Sequence, residues 1–363
     1  MRHPSTGRPT RRLATLLAGS AMALVAAACG GGVEQESSGS PGASGSSGSS
    51  TTIDTSKPVT VYLGRHYGIE PVFAEFTRAT GIPVEFTTGK DPELRERLVV
   101  EGRNTTADVY LAADAGNLEL AEQAGVLAPA GSEVLEEAVP ERLRDEDGAW
   151  HGLSVRARTI VTSSERVADA DVPTGYDALG DAEWKGRLCL RPSTHPYTQS
   201  LVSSLIAERG EDGATEVVES WVGNEPTYID SDTEILGAIA SGRCDAAIVN
   251  SYYLPRLEAE KGEQPVRLSW VTDDPGVHVN ISGAGITRNA DNQAGARRLI
   301  EWLATDGQAR FAEVNFEFPA NPDVAPRAEL AAFGPFTPDP VRVERFGTLQ
   351  PDAVMLLDRA GYQ

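Results

Sequence analysis

From Pro58 onward, short apolar runs alternate with amphipathic stretches. Val59–Leu63 is rich in β-branched and aromatic positions, which predicts a strand. After the loop Gly64-Arg65-His66-Tyr67-Gly68, Val72, Phe73 and Phe76 recur at helical spacing within Glu70–Thr80. Gly81-Ile82-Pro83 stops that helix, and Val84-Glu85-Phe86 opens a second strand. Asp91–Gly102 predicts a helix with Leu94, Leu98 and Val99 on one face. Asp108–Leu111 reads as a third strand, and Leu118–Ala124 as a helix stopped by Gly125. This β-α-β-α-β-α rhythm predicts a parallel, doubly wound sheet.

Within Trp150–Ser163 the run Leu153–Val161 is long enough for a strand that crosses between domains. A second α/β unit follows. Arg187–Leu190 predicts a strand, Tyr197–Glu208 a helix with Leu201, Val202 and Ile206 on its apolar face, and Thr227–Ile229 a short strand. Thr233–Ala240 is helical, and Ala246–Val249 is a strand ending at Asn250 and Ser251. Ser251 is expected to cap the next helix, with Pro255 in its first turn. Val277–Ile286 is a return strand and Ala294–Ala304 a helix; a proline-rich stretch then leads to a last helix, Pro351–Arg359. The fold class expected is α/β: two lobes, 56–157 with 282–335 and 158–281 with 336–363, joined by two crossings around a ligand cleft.

The first 55 residues read differently. Arg2, Arg8, Arg11 and Arg12 precede the apolar run Leu13–Ala28, the pattern of a secretory signal over residues 1–28. Val25-Ala26-Ala27-Ala28-Cys29 resembles the lipobox of bacterial lipoproteins, with Ala26 where leucine is usual. That resemblance implies lipidation of Cys29 and an extracytoplasmic, membrane-anchored protein; the alternative is ordinary cleavage near Ala28. Residues 29–55 form a Gly/Ser-rich tether with no means of burying a core. With 32 Lys and Arg against 53 Asp and Glu, the formal charge of −21 disfavours nucleic acid and anionic membrane surfaces as partners. Cys189 and Cys244 sit on strands expected to be neighbours, and in an exported protein they are candidates for a disulfide, with two free thiols as the alternative.

Three loops at strand ends carry the candidate chemistry: Arg65-His66-Tyr67, Thr194-His195-Pro196-Tyr197, and Tyr252-Tyr253. Tyrosines there either pack as aromatics or offer oxygen to a hard cation. Arg156 and Arg158, two apart on a strand, share one face. One of them, or Arg65, would balance phenolate charge or hold an anion, unless it serves a hinge salt bridge. Asp114 is a weaker candidate with a capping role expected. His151, His195 and His278 read as structural or exposed. Ser251 lacks the elbow motif of a nucleophile, which leaves a hydrolase as a remote reading.

Gly64-Arg65-His66-Tyr67, Val155-Arg156-Ala157-Arg158, Trp184-Lys185-Gly186-Arg187, Pro196-Tyr197-Thr198-Gln199-Ser200, Asn250-Ser251-Tyr252-Tyr253-Leu254-Pro255-Arg256 and Phe318-Pro319-Ala320-Asn321-Pro322 occur in that order. Together they resemble the ferric-ion-binding proteins of bacterial ABC importers, and the similarity runs from Val59 to the C-terminus. The resemblance implies a monomeric, type II periplasmic-binding-protein-like fold that binds Fe(III) and passes it to an ABC permease and its ATPase, without catalysis. It implies Tyr67, Tyr197, Tyr252 and Tyr253 as iron ligands, His66 as a further one in some members, and an accompanying anion such as carbonate or citrate. The alternative keeps the two lobes but binds an organic cation such as a polyamine, or a sugar, with the tyrosines stacking on it.

Overall fold

A computed structural model describes residues 54–64, 68–273 and 275–363. The chain opens with β1 (Val59–Leu63), α1 (Ile69–Thr80), β2 (Val84–Thr88), α2 (Asp91–Glu101), β3 (Val109–Ala112) and α3 (Ala115–Gln123). On α1, Val72, Phe73 and Phe76 are buried, as their spacing predicts, and each such side chain contributes about 1.5–3 kcal/mol by leaving water. Gly81 ends the helix in the left-handed region, its N–H bonded to the Thr77 carbonyl at 2.8 Å. On α2 the expected face is narrower: Leu94 and Leu98 are buried, but Val99 is 43 % exposed, because it lies about 100° around the helix from Leu98. Helix α3 starts three residues before its expected apolar face. Asp114 accepts from the Asn117 amide at 3.0 Å and caps it there.

Next come β4 (Leu127–Ala128), α4 (Glu133–Ala138) and β5 (Trp150–Ser163), followed by β6 (Leu188–Leu190), α5 (Pro196–Gly223), β7 (Thr227–Tyr228), α6 (Asp232–Ala240), β8 (Ala246–Asn250) and α7 (Tyr253–Lys261). The predicted helix over Tyr197–Glu208 is the first arm of α5; a non-helical Gly210 kinks it, and a second arm runs on. Ser251 does not cap α7. Its hydroxyl accepts from the Ala157 amide at 3.3 Å, while its own amide bonds the Ala157 carbonyl at 2.8 Å, so Ser251 is spent extending the β5–β8 ladder. The chain finishes with β9 (Val266–Ser269), β10 (His278–Thr287), α8 (Gln293–Ala304), α9 (Gln308–Glu313), β11 (Phe318–Pro319), α10 (Ala328–Ala331) and α11 (Arg345–Arg359). Helix α11 begins six residues before Pro351, which sits inside it and removes one helical N–H donor.

Among the described residues the strands form one sheet in the order β2-β1-β3-β10-β5-β8-β6-β7, with β4 on β10 and both β9 and β11 on β5. It is mixed rather than wholly parallel. The pairs β1–β2, β1–β3, β6–β7 and β6–β8 are parallel, but β5 and β10 run antiparallel to their neighbours. All fourteen residues of β5 are buried, and its pairing changes hands at one position. Trp150 to Arg158 pair with β10, whereas Arg158 to Thr162 pair with β8 and Ile160 to Ser163 with β9. The Tyr176 hydroxyl secures this junction. It donates to the Arg158 carbonyl at 2.6 Å and accepts from the His278 amide at 3.0 Å.

Cys189 and Cys244 form a disulfide, with Cα atoms 5.8 Å apart and a sequence separation of 55, beside the apolar cluster of Ile235, Leu236, Ile239 and Val249. Reduction, or replacement of both cysteines by alanine, is expected to lower the free energy of urea unfolding by about 2–4 kcal/mol. An unfolding curve unchanged by reductant would show that the bond does not constrain the chain.

Candidate functional site

Two strand ends bring the phenols together. After β6 the loop closes at His195, whose Nδ1 accepts from the Tyr197 amide at 3.1 Å. Burial, and then the charges of Arg191, Arg158 and Arg156, push this imidazole down to about 3, so it stays neutral and able to accept. Pro196 takes the first helical position as expected, and the His195 ring meets the Tyr197 ring edge-on at 4.4 Å. After β8, Tyr252 and Tyr253 start α7 with rings 4.2 Å apart. The Tyr252 and Tyr197 hydroxyls stand 3.2 Å apart.

Tyr252 and Tyr253 are costly to ionise on their own. Tyr252 is 4 % exposed; burial, and then Tyr197 and Tyr253, raise it well above the ordinary phenol value. Tyr253 is also raised, by burial first and by Tyr197 and Asp232 after it. Opposing this, Arg156, Arg158 and Arg191 place their guanidinium carbons 5.3, 5.6 and 5.9 Å from the Tyr197 ring centre.

Each arginine is anchored. Arg158 forms a 2.8 Å ion pair with Asp232, which has no exposed surface. Arg191 reaches Asp232 at 3.6 Å and Asp230 at 3.2 Å. Arg156 bonds the Ala113 carbonyl and reaches the Ser282 hydroxyl at 3.4 Å. Burial works against the Arg156 charge, but Tyr197, Glu317, Tyr252 and Asp114 outweigh it and hold the group above its usual range. Asp232 also accepts from the Asn250 amide at 3.0 Å, which ties the strand end before Tyr252 to the same carboxylate.

In front of Tyr197 opens a cleft of about 640 Å³, lined among others by Gly64, Lys90, Asp91, Asp114, Arg191 and His195. Burial, and then the Asp114 charge, pushes Asp91 up to about 7. Asp114 has its capping role and no free carboxylate oxygen: Oδ1 accepts from Asn280 at 2.9 Å and Oδ2 from Asn117. His278 is buried between Ser200 and Asp339, and His151 is buried and pushed down to about 4 by that burial. Ser251 has no exposed surface.

Of the sequence-derived candidates, Tyr197, Tyr252, Tyr253, Arg156 and Arg158 come together. Arg65, His66, Tyr67 and Cys29 lie outside the described residues. Sequence reasoning missed Arg191 and Asp232. Arg191 directly follows an apolar strand, a usable signal; Asp232, beside the Ser231 cap of α6, reads as an ordinary first-turn acid.

The chain matches a family model described as bacterial extracellular solute-binding protein over residues 104–334. It is 37% identical over 317 residues to iron uptake protein A1 of Synechocystis sp., covering 84% of this chain and 87% of that one. It is 29% identical over 275 residues to the major ferric iron-binding protein of Neisseria meningitidis, covering 73% and 82% of the two chains. Its fold is similar to that of Trichodesmium FutA in complex with iron and citrate ligands, with a TM-score of 0.80 at 35% identity over 84% of this chain and 100% of that one.

The carboxylate of Asp232 serves two buried cations and one amide, so its loss leaves Arg158 unpaired. Asp232→Ala is expected to lower stability by about 3–5 kcal/mol, read as a shift in the urea midpoint. A shift below about 1 kcal/mol, the range of exposed pairs, would mean that solvent reaches Arg158.

Proposed function

The chain belongs to the bacterial extracellular solute-binding proteins, with their two-lobed type II α/β fold, and from that membership we propose that it captures Fe(III) outside the cytoplasm for delivery to an ABC importer. The observation that carries this reading is the meeting of Tyr197 and Tyr252 hydroxyls at 3.2 Å, with Tyr253 stacked behind and three guanidiniums around them. Fe(III) is a hard ion that prefers oxygen donors. Tyrosines 197, 252 and 253 are its ligands in this reading, with Tyr67 and His66 supplied by the loop that begins after the cleft-lining Gly64.

Binding trades protons for metal. Each phenol reaches the ion as phenolate, so the incoming charge displaces the proton that burial otherwise keeps in place. Arg156 and Arg158 offset the surplus negative charge of several phenolates on one trivalent ion. The remaining cleft volume, with Lys90 and Arg191 on its wall, leaves room for an accompanying anion such as carbonate or citrate. A polyamine ligand is disfavoured by those same three guanidiniums, which would repel it.

The lobes in this reading are 56–157 with 282–335 and 158–281 with 336–363, meeting where β5 changes partners. A signal over residues 1–28 would direct export, and a lipid anchor on Cys29 with the tether to residue 55 would then hold a monomer outside the cytoplasmic membrane, beside the permease and its ATPase. The Cys189–Cys244 disulfide suits that compartment. The role is capture and release, without catalysis.

Titration with ferric citrate at neutral pH is expected to produce a visible tyrosinate-to-iron charge-transfer band. Tyr252→Phe and Tyr253→Phe should each weaken binding by about tenfold or more, at roughly 1.4 kcal/mol per decade. A protein that stays folded and colourless in ferric citrate would sink the proposal. The pH dependence has a definite sign. Tyr252 and Tyr253 have raised values in the metal-free protein and so carry protons that iron must displace. Affinity therefore rises with pH and falls in acid, and proton release on binding, measured in weakly buffered solution, checks this; uptake would contradict it.

A further inference from the structure

Asn280 lies on β10, buried, two residues from the junction at His278. Its amide is saturated. Nδ2 donates to Asp114 Oδ1 at 2.9 Å and to Ser200 Oγ at 2.7 Å, while Oδ1 accepts from the Ala115 amide at 3.0 Å and the Ile281 amide at 2.7 Å. Asp114 and Ala115 start α3, directly after β3, in the parallel group that also holds β1. Ser200 stands on α5, three residues after Tyr197 and so one turn along the same side of the helix. One side chain thus joins the cap of α3 to the turn that carries a metal-ligand candidate.

The connection continues inward. Ser200 Oγ meets His278 Nε2 at 2.9 Å, His278 Nδ1 meets Asp339 Oδ2 at 3.3 Å, and Ser204 Oγ donates to Asp339 at 2.7 Å. A serine, a histidine and an aspartate in that order suggest a nucleophile with its base. However, Ser200 is buried, Asn280 occupies its oxygen, and the space between it and Tyr197 is a void of about 10 Å³. No substrate fits there. The row is a strut of directional bonds that runs inward from Asp114, a residue lining the cleft.

We propose that Asn280 is a positioning residue for ion capture: by joining the start of α3 to the Tyr197 turn of α5, it holds the α3 side of the cleft against the phenols of α5 and α7 that take the ion. The inference rests on the ferric reading above and adds the element that sets how long the ion is retained. Removing the amide orphans Asp114 Oδ1 and the Ala115 and Ile281 amides and leaves Ser200 held by His278 alone, without touching any proposed ligand.

The test uses wild-type protein, Asn280→Ala and the isosteric Asn280→Asp, which places a second carboxylate against Asp114. Each is loaded with ferric citrate and challenged with excess chelator in stopped flow, and small-angle scattering compares metal-free and loaded states. Both variants are expected to keep the wild-type charge-transfer wavelength, because the ligand set is intact. Both should release iron about tenfold faster, the loss expected for a hydrogen-bonded link to a charged group, and should contract less on loading. A purely structural residue would lower the melting temperature without this change in release at a temperature where all three proteins are folded. Release within twofold of wild type overturns the proposal, as does failure of both variants to fold, which would make Asn280 a requirement of the fold. Wild-type protein that takes up no iron overturns the ferric reading itself, and this inference with it.

Discussion

Arg158 and Asp232 meet at 2.8 Å almost without solvent, at the residue of β5 where one set of strand partners gives way to another. Neither charge survives there alone, since a buried ion without a partner costs several kcal/mol. The pair therefore dictates its surroundings. Asp232 must start α6 beneath β8, and Arg158 must face the end of β8, which leaves the Asn250 amide on the same carboxylate. The turn into Tyr252 is fixed by that arrangement. So is the position of Arg158 against the Tyr197 ring, at 5.6 Å.

Around this pair the cleft balances two opposing costs. Burial keeps Tyr252 and Tyr253 protonated, whereas Arg156 lowers the penalty of ionising Tyr252 and Arg191 that of Tyr253. A site with only the first feature would refuse a cation, and one with only the second would hold phenolates permanently and never refill cleanly. Asp232 faces Arg158 and Arg191, and the buried Glu317 acts on Arg156, so each of the three guanidiniums has a carboxylate near it.

Local patterns explain what could be read in the chain. Val72, Phe73 and Phe76 announce a helix because burial of one face needs that spacing, and Pro196 and Tyr252 sit at strand ends because apolar runs stop just before them. The meeting of Tyr197, Tyr252 and Tyr253 was legible for this reason. Properties set by distant neighbours were not. Nothing in Asp230-Ser231-Asp232 distinguishes the exposed acid from the fully buried one, since only the arrival of Arg158 from 74 residues away decides it. The antiparallel run of β5 was equally hidden, because its direction is set by pairing with β10 and β8, strands that come much later in the chain. Ser251 failed as a cap because a ladder bond to Ala157 competed for it, and α11 passes through Pro351, where a proline alone reads as a start.

The Tyr176 hydroxyl, held between the Arg158 carbonyl and the His278 amide, binds β5 to β10 side by side where the sheet changes partners. One phenol oxygen thereby occupies a backbone acceptor and a backbone donor at once, so its removal would leave two polar groups of a buried strand pair without their partner.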